Sequence, residues 1–187
     1  MKELHTQRLT LRAWESSDAS FLLDLESRVD TMRYLGPGTT LMVTIEQALA
    51  SIERRRAVRG AGQGIWAIAG RESGALLGNL LCKPMSEQMQ RFIGIIGDSQ
   101  PSEIGWHLHP DAQGHGYATE AARAVLDYAS QAQAHQQVFA IVDPNNLPSQ
   151  KTCDRLGLQL VGSTSGYTRD EHLVYRAISA SDNLAGS

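Results

Sequence analysis

The sequence has few cysteines and no long uncharged apolar run. Its two cysteines, Cys82 and Cys153, lie far apart and form no C-x-x-C pair. This excludes a disulfide framework and is typical of a protein in the reducing cytosol. The first residues contain no apolar signal-peptide core, and no stretch is long and apolar enough to span a bilayer. We therefore predict a cytoplasmic protein with no membrane partner.

Basic charge is also scarce. The chain has 17 Lys and Arg against 20 Asp and Glu, a formal net charge of −3, and its longest basic block is Arg54-Arg55-Arg56. Nucleic-acid-binding domains usually carry a basic patch or stripe, so we expect no nucleic-acid partner. A length of 187 residues, 42% of them hydrophobic, suits one buried core. We predict a single domain over residues 1–187, with its core at about 6–178.

Patterning in the first half of the chain indicates a strand, two helices and a β-hairpin. In order, these are predicted over residues 4–14, 16–30, 44–60 and 65–82. The segment Ser16-Ser17-Asp18 and Thr44 are the expected helix caps. Residues 33–40 are predicted to form a loop around Gly-Pro-Gly, and residues 86–101 a second, polar and irregular loop.

The second half predicts a strand, a helix, a strand, a helix and two final strands. In order, these lie at residues 102–108, 118–132, 138–142, 148–157, 159–162 and 172–178. Gly105, in mid-strand, indicates a bulge or a close approach by another backbone. The run VFAIV at 138–142 is continuously apolar, as in a central parallel strand. With the preceding strand and helix it forms a predicted right-handed crossover unit.

The segment QGHGYATEAA, residues 113–122, opens a helix on a loop with two glycines. Free N–H groups and the positive end of the helix dipole favour an anion there, typically a phosphate. A P-loop requires Lys-Ser or Lys-Thr after its last glycine, whereas Gly116 is followed by Tyr117. A dinucleotide fingerprint fits better, because Asp143 ends the next strand, but Thr119 replaces its third glycine.

The same segment resembles the central motif of the GNAT superfamily of acetyl-CoA-dependent N-acyltransferases. The resemblance rests on Q-x-x-G-x-A at 113–118, preceded by the strand EIGWHL. The pieces NNLPS and KTCDRLGL, within residues 145–158, resemble the superfamily's second signature. The opening TQRLTLRAW is similar to the branch that contains the ribosomal-protein N-terminal acetyltransferases. The resemblance implies an α/β fold with a mixed, mainly antiparallel sheet that is splayed at its centre and flanked by helices.

The resemblance implies acetyl-CoA as the acyl donor. The N–H groups of residues 113–119 would hold the pyrophosphate, and the strand end 106–108 would pair with the pantetheine amides. Asn146 would bind the same arm, and local sequence also makes it a helix cap; the two roles are compatible. The predicted cofactor-binding residues are Trp106, His107, Leu108, Gln113, Gly114, His115, Gly116, Tyr117, Ala118, Thr119, Asn146 and Ser149.

Acyl transfer to an amine needs a base, because only the neutral amine attacks a thioester. Glu103 matches the position where many relatives carry a base, and it is predicted to act through a bridging water. His107 is the alternative base.

Many relatives also place a tyrosine acid four residues before the helix-ending glycine, where this chain has Cys153. Ser149 is therefore the predicted partner of the departing thiolate, and Cys153 is predicted to face the core.

The acceptor is predicted to enter beside the two N-terminal helices and residues 86–101, with Arg33 and Tyr34 contributing. The branch resemblance makes the α-amine of a peptide or protein the first choice. A small amine or an aminoglycoside is the second, and a non-catalytic acyl-CoA-binding regulatory module is the rival class. The histidines of His107-x-His109 lack a fourth ligand, so no metal is predicted. The sequence leaves open whether the protein forms a homodimer.

Overall fold

The computed structural model describes residues 1–35, 40–94, 100–132, 137–164 and 171–177. Within these ranges the strands are β1 (Leu4–His5), β2 (Leu9–Ala13), β3 (Gly64–Gly70), β4 (Leu76–Pro84), β5 (Ser102–Leu108), β6 (Val138–Val142), β7 (Gln159–Thr164) and β8 (His172–Arg176). The helices there are α1 (Ala19–Ser27), α2 (Val29–Met32), α3 (Ile45–Ala57), α4 (Glu87–Phe92), α5 (Tyr117–Ala132) and α6 (Leu147–Leu156). Short 3-10 turns cover Ser16–Asp18 and Pro110–Ala112.

The strands form one sheet in the order β1-β2-β3-β4-β5-β6-β8-β7. Neighbouring strands are antiparallel except β5 and β6, which are parallel. Pairing between β5 and β6 covers only Ser102 with Val138 and Glu103 with Phe139, so the two strands part from Ile104 onward. The predicted mixed, mainly antiparallel sheet splayed at its centre is therefore confirmed.

Helices cover both faces of the sheet. On one face α5 and α6 bury Val125 and Leu156 against the largest apolar cluster, to which β3 contributes Trp66. On the other face α1 and α3 pack over a cluster that contains Trp14 and, from β3, Ala67. Successive strand side chains point to opposite faces, which explains why adjacent β3 residues belong to different clusters. The splay is thus enclosed between two helical layers.

Thr44 and Asn146 cap the helices that border the splay, whereas the predicted cap Ser16-Ser17-Asp18 forms a 3-10 turn, and Asp18 makes no side-chain cap hydrogen bond to α1. Thr44 accepts a hydrogen bond from the backbone N of Gln47 at 3.3 Å and begins α3 with a capping box. Asn146 accepts from the backbone N of Ser149 at 3.2 Å and begins α6. Gly157 ends α6 in the left-handed region, with φ of +74°. The cap role predicted for Asn146 is confirmed.

Three predicted segments differ from the structure. The single strand predicted over residues 4–14 is instead two strands, β1 and β2, which pair with each other in antiparallel orientation. The first helix does not reach Asp30, because Arg28 is extended with ψ of 118° and separates α1 from the short α2. The segment 86–101 is not wholly irregular: Ser86 caps α4, which buries Met89. The sequence interpretation missed α4 because its few apolar residues lie among polar ones. Residues 36–39 of the first predicted loop, residues 95–99 and residue 178 lie outside the described residues.

The prediction for Gly105 is wrong. The β4–β5 register runs one to one through Gly105, opposite Leu81, and the atoms nearest to a Cβ on Gly105 would belong to that side chain, at an ordinary contact distance of 3.6 Å. The close backbone approach lies instead at Gly78 on β4, where a Cβ would be 2.5 Å from the carbonyl oxygen of His107. The unpaired edge of β5 thus comes from the end of the β6 pairing, not from a bulge.

No helix in the described part of the chain is both apolar and long enough to cross a membrane.

Candidate active site

Two cavities meet where β5 and β6 part. The first, of about 540 Å³, is lined by the sheet and by residues of α1 to α3, and it contains Glu103; we name it the Glu103 cavity. The second cavity, of about 590 Å³, is lined by residues of the loop at 113–116, which we name the glycine loop, and by the start of α6. We name this second cavity the loop cavity. Both are lined by Tyr34, Leu35, Trp106, His107, Asn146 and Ser149. A ligand that spans both cavities therefore passes the splay.

The glycine loop presents bare backbone to the loop cavity. Gly114 and Gly116 have φ of +79° and +80°, a region that side chains with a Cβ rarely adopt. A Cβ on Gly114 would find no atom within 4 Å, so the space in front of the loop is open. The loop leads into α5, whose first N–H groups lack intrahelical acceptors and lie at the positive end of its dipole. The arrangement suits an anion.

The structure brings together nearly all of the predicted cofactor-binding residues. The loop cavity is lined by Trp106, His107, Leu108, Gln113, Gly114, Gly116, Tyr117, Ala118, Thr119, Asn146 and Ser149. His115 does not line this cavity; it lines an adjoining shallow groove together with Gly114, Gly116 and Thr119. The Gln113 side chain turns back and donates to the carbonyl oxygen of Leu108 at 3.2 Å, which ties the loop to the end of β5.

An ion pair between Arg8 and Glu120 holds the glycine loop from the N-terminal side. Arg8 Nη2 lies 2.6 Å from Glu120 Oε2, and Arg8 Nη1 donates to the carbonyl oxygen of His115 at 3.0 Å. Thr6 Oγ1 donates to Glu120 Oε1 at 2.6 Å. Burial raises the pKa of Glu120, but the hydrogen bonds from Thr6 and Arg8 outweigh it and hold that pKa below its usual value. Sequence reasoning missed this pair, because no local spacing links positions 112 residues apart.

Glu103 lies on the sheet face that looks toward α1 and α3. Its neighbour Ile104 points the other way, into the largest apolar cluster, as the strand alternation predicts. Glu103 is opposite Lys83 in the β4–β5 register, with Lys83 Nζ 3.8 Å from Glu103 Oε2. The Glu103 side chain is 29% exposed. It is therefore reachable from the cavity while its charge has a nearby counterion.

A buried polar network adjoins the junction of the cavities. His107 Nε2 lies 3.0 Å from Glu26 Oε1, and the same oxygen pairs with Arg55. Arg55 Nε donates to Asn79 Oδ1 at 3.3 Å, as Trp14 Nε1 does at 3.1 Å. Burial raises the pKa of Glu26, but the hydrogen bond from His107 and the charge of Arg55 hold it below its usual value. An ionised Glu26 accepts only, so Nε2 carries the hydrogen of His107.

The start of α6 contributes differently at its two candidate positions. Ser149 lines both cavities. Cys153 is fully buried in the apolar cluster under α6 and lines neither cavity. Burial raises the pKa of its thiol to about 12. The prediction that Cys153 faces the core is confirmed.

The predicted acceptor residues are divided between the cavities. Tyr34 lines both, whereas Arg33 lines only the loop cavity, where it pairs with Asp30 at 3.7 Å and stacks over the Tyr34 ring.

The second histidine of His107-x-His109, His109, pairs with Asp24 at 3.0 Å, outside both cavities. Across the described ranges, no three His, Cys, Asp or Glu side chains are grouped to hold a metal.

A parallel strand pair that parts beside a glycine loop at the start of a helix is the arrangement that the resemblance to the GNAT acyltransferases implies. Residues 8–159 match the acetyltransferase (GNAT) domain model, and the chain belongs to this family. The family uses acetyl-CoA and an amine acceptor, so the protein is an acetyltransferase.

Relatives agree with this membership. The uncharacterized N-acetyltransferase YnaD of Bacillus subtilis is 27% identical over 157 residues, which cover 84% of this chain and 82% of that protein. A GNAT-family acetyltransferase of Bacillus anthracis shares the fold with a TM-score of 0.75 at 20% identity, covering 95% of this chain and 98% of that chain. RimJ of Mycobacterium smegmatis, solved with CoA-disulfide, shares the fold with a TM-score of 0.73 at 19% identity. The match covers 97% of this chain and 87% of that chain.

Proposed function

We propose that this protein transfers the acetyl group of acetyl-CoA to the α-amine of a peptide or protein. One observation carries the proposal: the cavity that contains the candidate base and the cavity beside the glycine loop meet at the splay. Residues 113–119 would hold the pyrophosphate, and the free edge of β5 would pair with the pantetheine arm. Acetyl-CoA supplies the thioester carbon that the amine attacks.

Glu103 would remove the proton of the acceptor ammonium through a bridging water. The side chain is partly exposed in its cavity, and Lys83 keeps the carboxylate beside a positive charge. Ser149, at the junction, would donate a hydrogen bond to the thiolate as the C–S bond breaks and the new C–N bond forms. Cys153 would take no part, because it is buried away from both cavities.

The charges of the Glu103 cavity support a singly charged acceptor. Its acidic and basic lining residues are equal in number: Glu26, Glu103 and Asp143 against Arg54, Arg55 and Lys83. Arg55 neutralises Glu26, and Lys83 lies beside Glu103. A cavity that attracts a polycation needs an excess of negative charge. This lining therefore favours a peptide α-amine over a polyamine or an aminoglycoside.

A free-thiol release assay tests the proposed reaction. Purified protein and acetyl-CoA are incubated with short peptides, ribosomal proteins, polyamines and aminoglycosides in parallel. We expect thiol release above background with peptides or proteins that have a free N-terminus. Release with aminoglycosides alone would assign the small-amine activity, and binding of acetyl-CoA without release for any acceptor would assign the regulatory module.

Gly116→Val weakens acetyl-CoA binding more than it harms the fold. Valine at φ of +80° is strained, and its Cβ would lie 3.7 Å from Arg8 Nη2, which holds the loop that lines this cavity. Gly74→Val is the matched control, because Gly74 has φ of +68° in the β3–β4 turn, with no atom within 4 Å of a Cβ and outside both cavities. Calorimetry should show reduced acetyl-CoA affinity for Gly116→Val alone, whereas equal affinity in both variants would contradict the loop assignment.

Ser149→Ala lowers kcat more than Cys153→Ala. The serine variant loses the proposed hydrogen bond to the thiolate while its backbone N–H still reaches Asn146. The cysteine variant loses a buried sulfur, which costs about 1 kcal/mol of folding free energy, and keeps most of the kcat. The measurement is kcat at saturating acetyl-CoA, with thermal unfolding as the folding check. A collapse confined to Cys153→Ala would show that the thiol replaces the tyrosine acid of relatives.

A further inference from the structure

We propose that an apolar row on the floor of the Glu103 cavity binds the side chain of the acceptor's first residue and makes the protein prefer peptides that begin with a large apolar residue. The row consists of Ile65 on β3, Leu81 on β4 and Gly105 on β5. All three line the Glu103 cavity, and none lines the loop cavity. This inference rests on the proposed function, since it requires that an α-amine enters the Glu103 cavity.

The strand register places the three residues in one line across the sheet. Ile65 is opposite Leu81, and Leu81 is opposite Gly105. Neighbouring strands lie about 5 Å apart, so the row spans about 10 Å. The side chains of Ile65 and Leu81 are both partly exposed. The row is therefore an apolar surface that a ligand can cover.

Polar residues border the apolar row on both sides. Two residues along the strands in one direction, Lys83 is opposite Glu103, and in the other direction Asn79 is opposite His107. Residues two apart on a strand are about 7 Å from each other. The side chain of a first residue is attached to the carbon that bears the α-amine. An acceptor whose amine reaches Glu103 through a bridging water therefore has the apolar row within reach of that side chain.

Gly105 leaves room for the side chain of the acceptor. Its neighbours on the same face of β5, Glu103 and His107, both line the Glu103 cavity, so a Cβ on Gly105 would point into it as well. The atoms nearest to such a Cβ belong to Leu81, at an ordinary contact distance of 3.6 Å. The space above Gly105 is thus open to the cavity, with Leu81 as an apolar wall.

Apolar side chains from other elements line the same cavity. They are Met32 at the end of α2, Val58 directly after α3 and Met89 on α4. Apolar neighbours of this kind remove a leucine or methionine side chain from water, whereas alanine and serine have little apolar surface to bury. A charged side chain would lose hydration on the row without gaining a hydrogen bond from it. The lining therefore selects for large apolar first residues.

The test measures kcat/KM of the full chain for acetyl transfer to short peptides that differ only in their first residue, which is leucine, methionine, alanine or serine. We expect leucine and methionine to exceed alanine and serine by about 10- to 100-fold, the discrimination that burial of a few methylene groups provides. The readout for each variant is its leucine-to-alanine ratio of kcat/KM. A general loss of activity cancels in that ratio.

Two site variants and one control locate the preference. Gly105→Val fills the space above the row, and Leu81→Asn replaces an apolar side chain with a polar one of similar size. Each should lower the leucine-to-alanine ratio by about tenfold or more. Leu76→Asn is the matched control, because Leu76 is also partly exposed on β4 but lies outside both cavities. It should keep the ratio of the unmodified protein.

The outcomes separate the two proposals. A ratio that falls in both site variants and stays high in the control supports the subsite. Equal kcat/KM for the four peptides, a preference for alanine or serine, or a leucine preference that survives in either site variant or falls equally in the control overturns the subsite and leaves transfer to an α-amine intact. If no peptide is acetylated, both proposals fail.

Discussion

We expect Glu103→Gln to lower kcat by about 10²-fold or more and to leave acetyl-CoA affinity nearly unchanged, because Glu103 is the proposed base. Glutamine keeps the size of the side chain but cannot accept the proton of the acceptor ammonium. Of the two cavities, Glu103 lines only the Glu103 cavity, so its replacement does not reach the glycine loop. The measurements are kcat for acetyl transfer and the acetyl-CoA dissociation constant by calorimetry.

Two further variants make this result specific. Glu87→Gln, at a position that is 86% exposed on α4, removes one negative charge without entering either cavity and should keep the kcat of the unmodified protein. His107→Gln tests the alternative base. Normal turnover in Glu103→Gln together with a collapse in His107→Gln would assign the base to His107.

We expect Glu26→Leu to destabilise the fold by about 3–5 kcal/mol, because it leaves Arg55 buried without its counterion. The double variant Glu26→Leu with Arg55→Leu removes both charges and should recover most of that loss. Glu53→Leu is the matched control on α3, since its pair with Arg56 is exposed and should contribute no more than about 1 kcal/mol. The measurement is the unfolding free energy in urea.

The same network predicts a pH dependence. The pKa of Glu26 is lower in the folded protein than its ordinary value of 4.5. Its ionised form therefore contributes stability above about pH 4.5, and this contribution is lost as the pH falls through the folded-state pKa. The difference in unfolding free energy between the unmodified protein and Glu26→Leu should shrink in acid. A difference that stays constant or grows between pH 6 and pH 3 would contradict the ionised state of Glu26.

The features that sequence reasoning predicted are those encoded in local patterns. The caps at Thr44 and Asn146 depend on one side chain and a backbone N–H three residues later, and both are present. The glycine loop is recognisable because Gly114 and Gly116 take a backbone conformation that other residues avoid. The single-domain, cytoplasmic and homodimeric assignments stay predictions.

The features that sequence reasoning missed depend on contacts between distant positions. Glu26 and His107 are 81 residues apart, and neither position alone indicates a buried ion pair. The interpretation of Gly105 failed because a glycine in a strand does not reveal which backbone approaches it. The close approach occurs at Gly78, on the neighbouring strand. Only the strand register decides between the two glycines.

The most direct measurement uses a peptide that contains an internal lysine, prepared once with a free N-terminus and once with a formylated one. Both are incubated with the protein and acetyl-CoA, and the products are mapped by tandem mass spectrometry. We predict one acetyl group on the α-amine of the free peptide and none on the formylated peptide. Acetylation of the lysine in both peptides, or no acetylation of any peptide alongside rapid modification of a small amine, would contradict transfer to an α-amine.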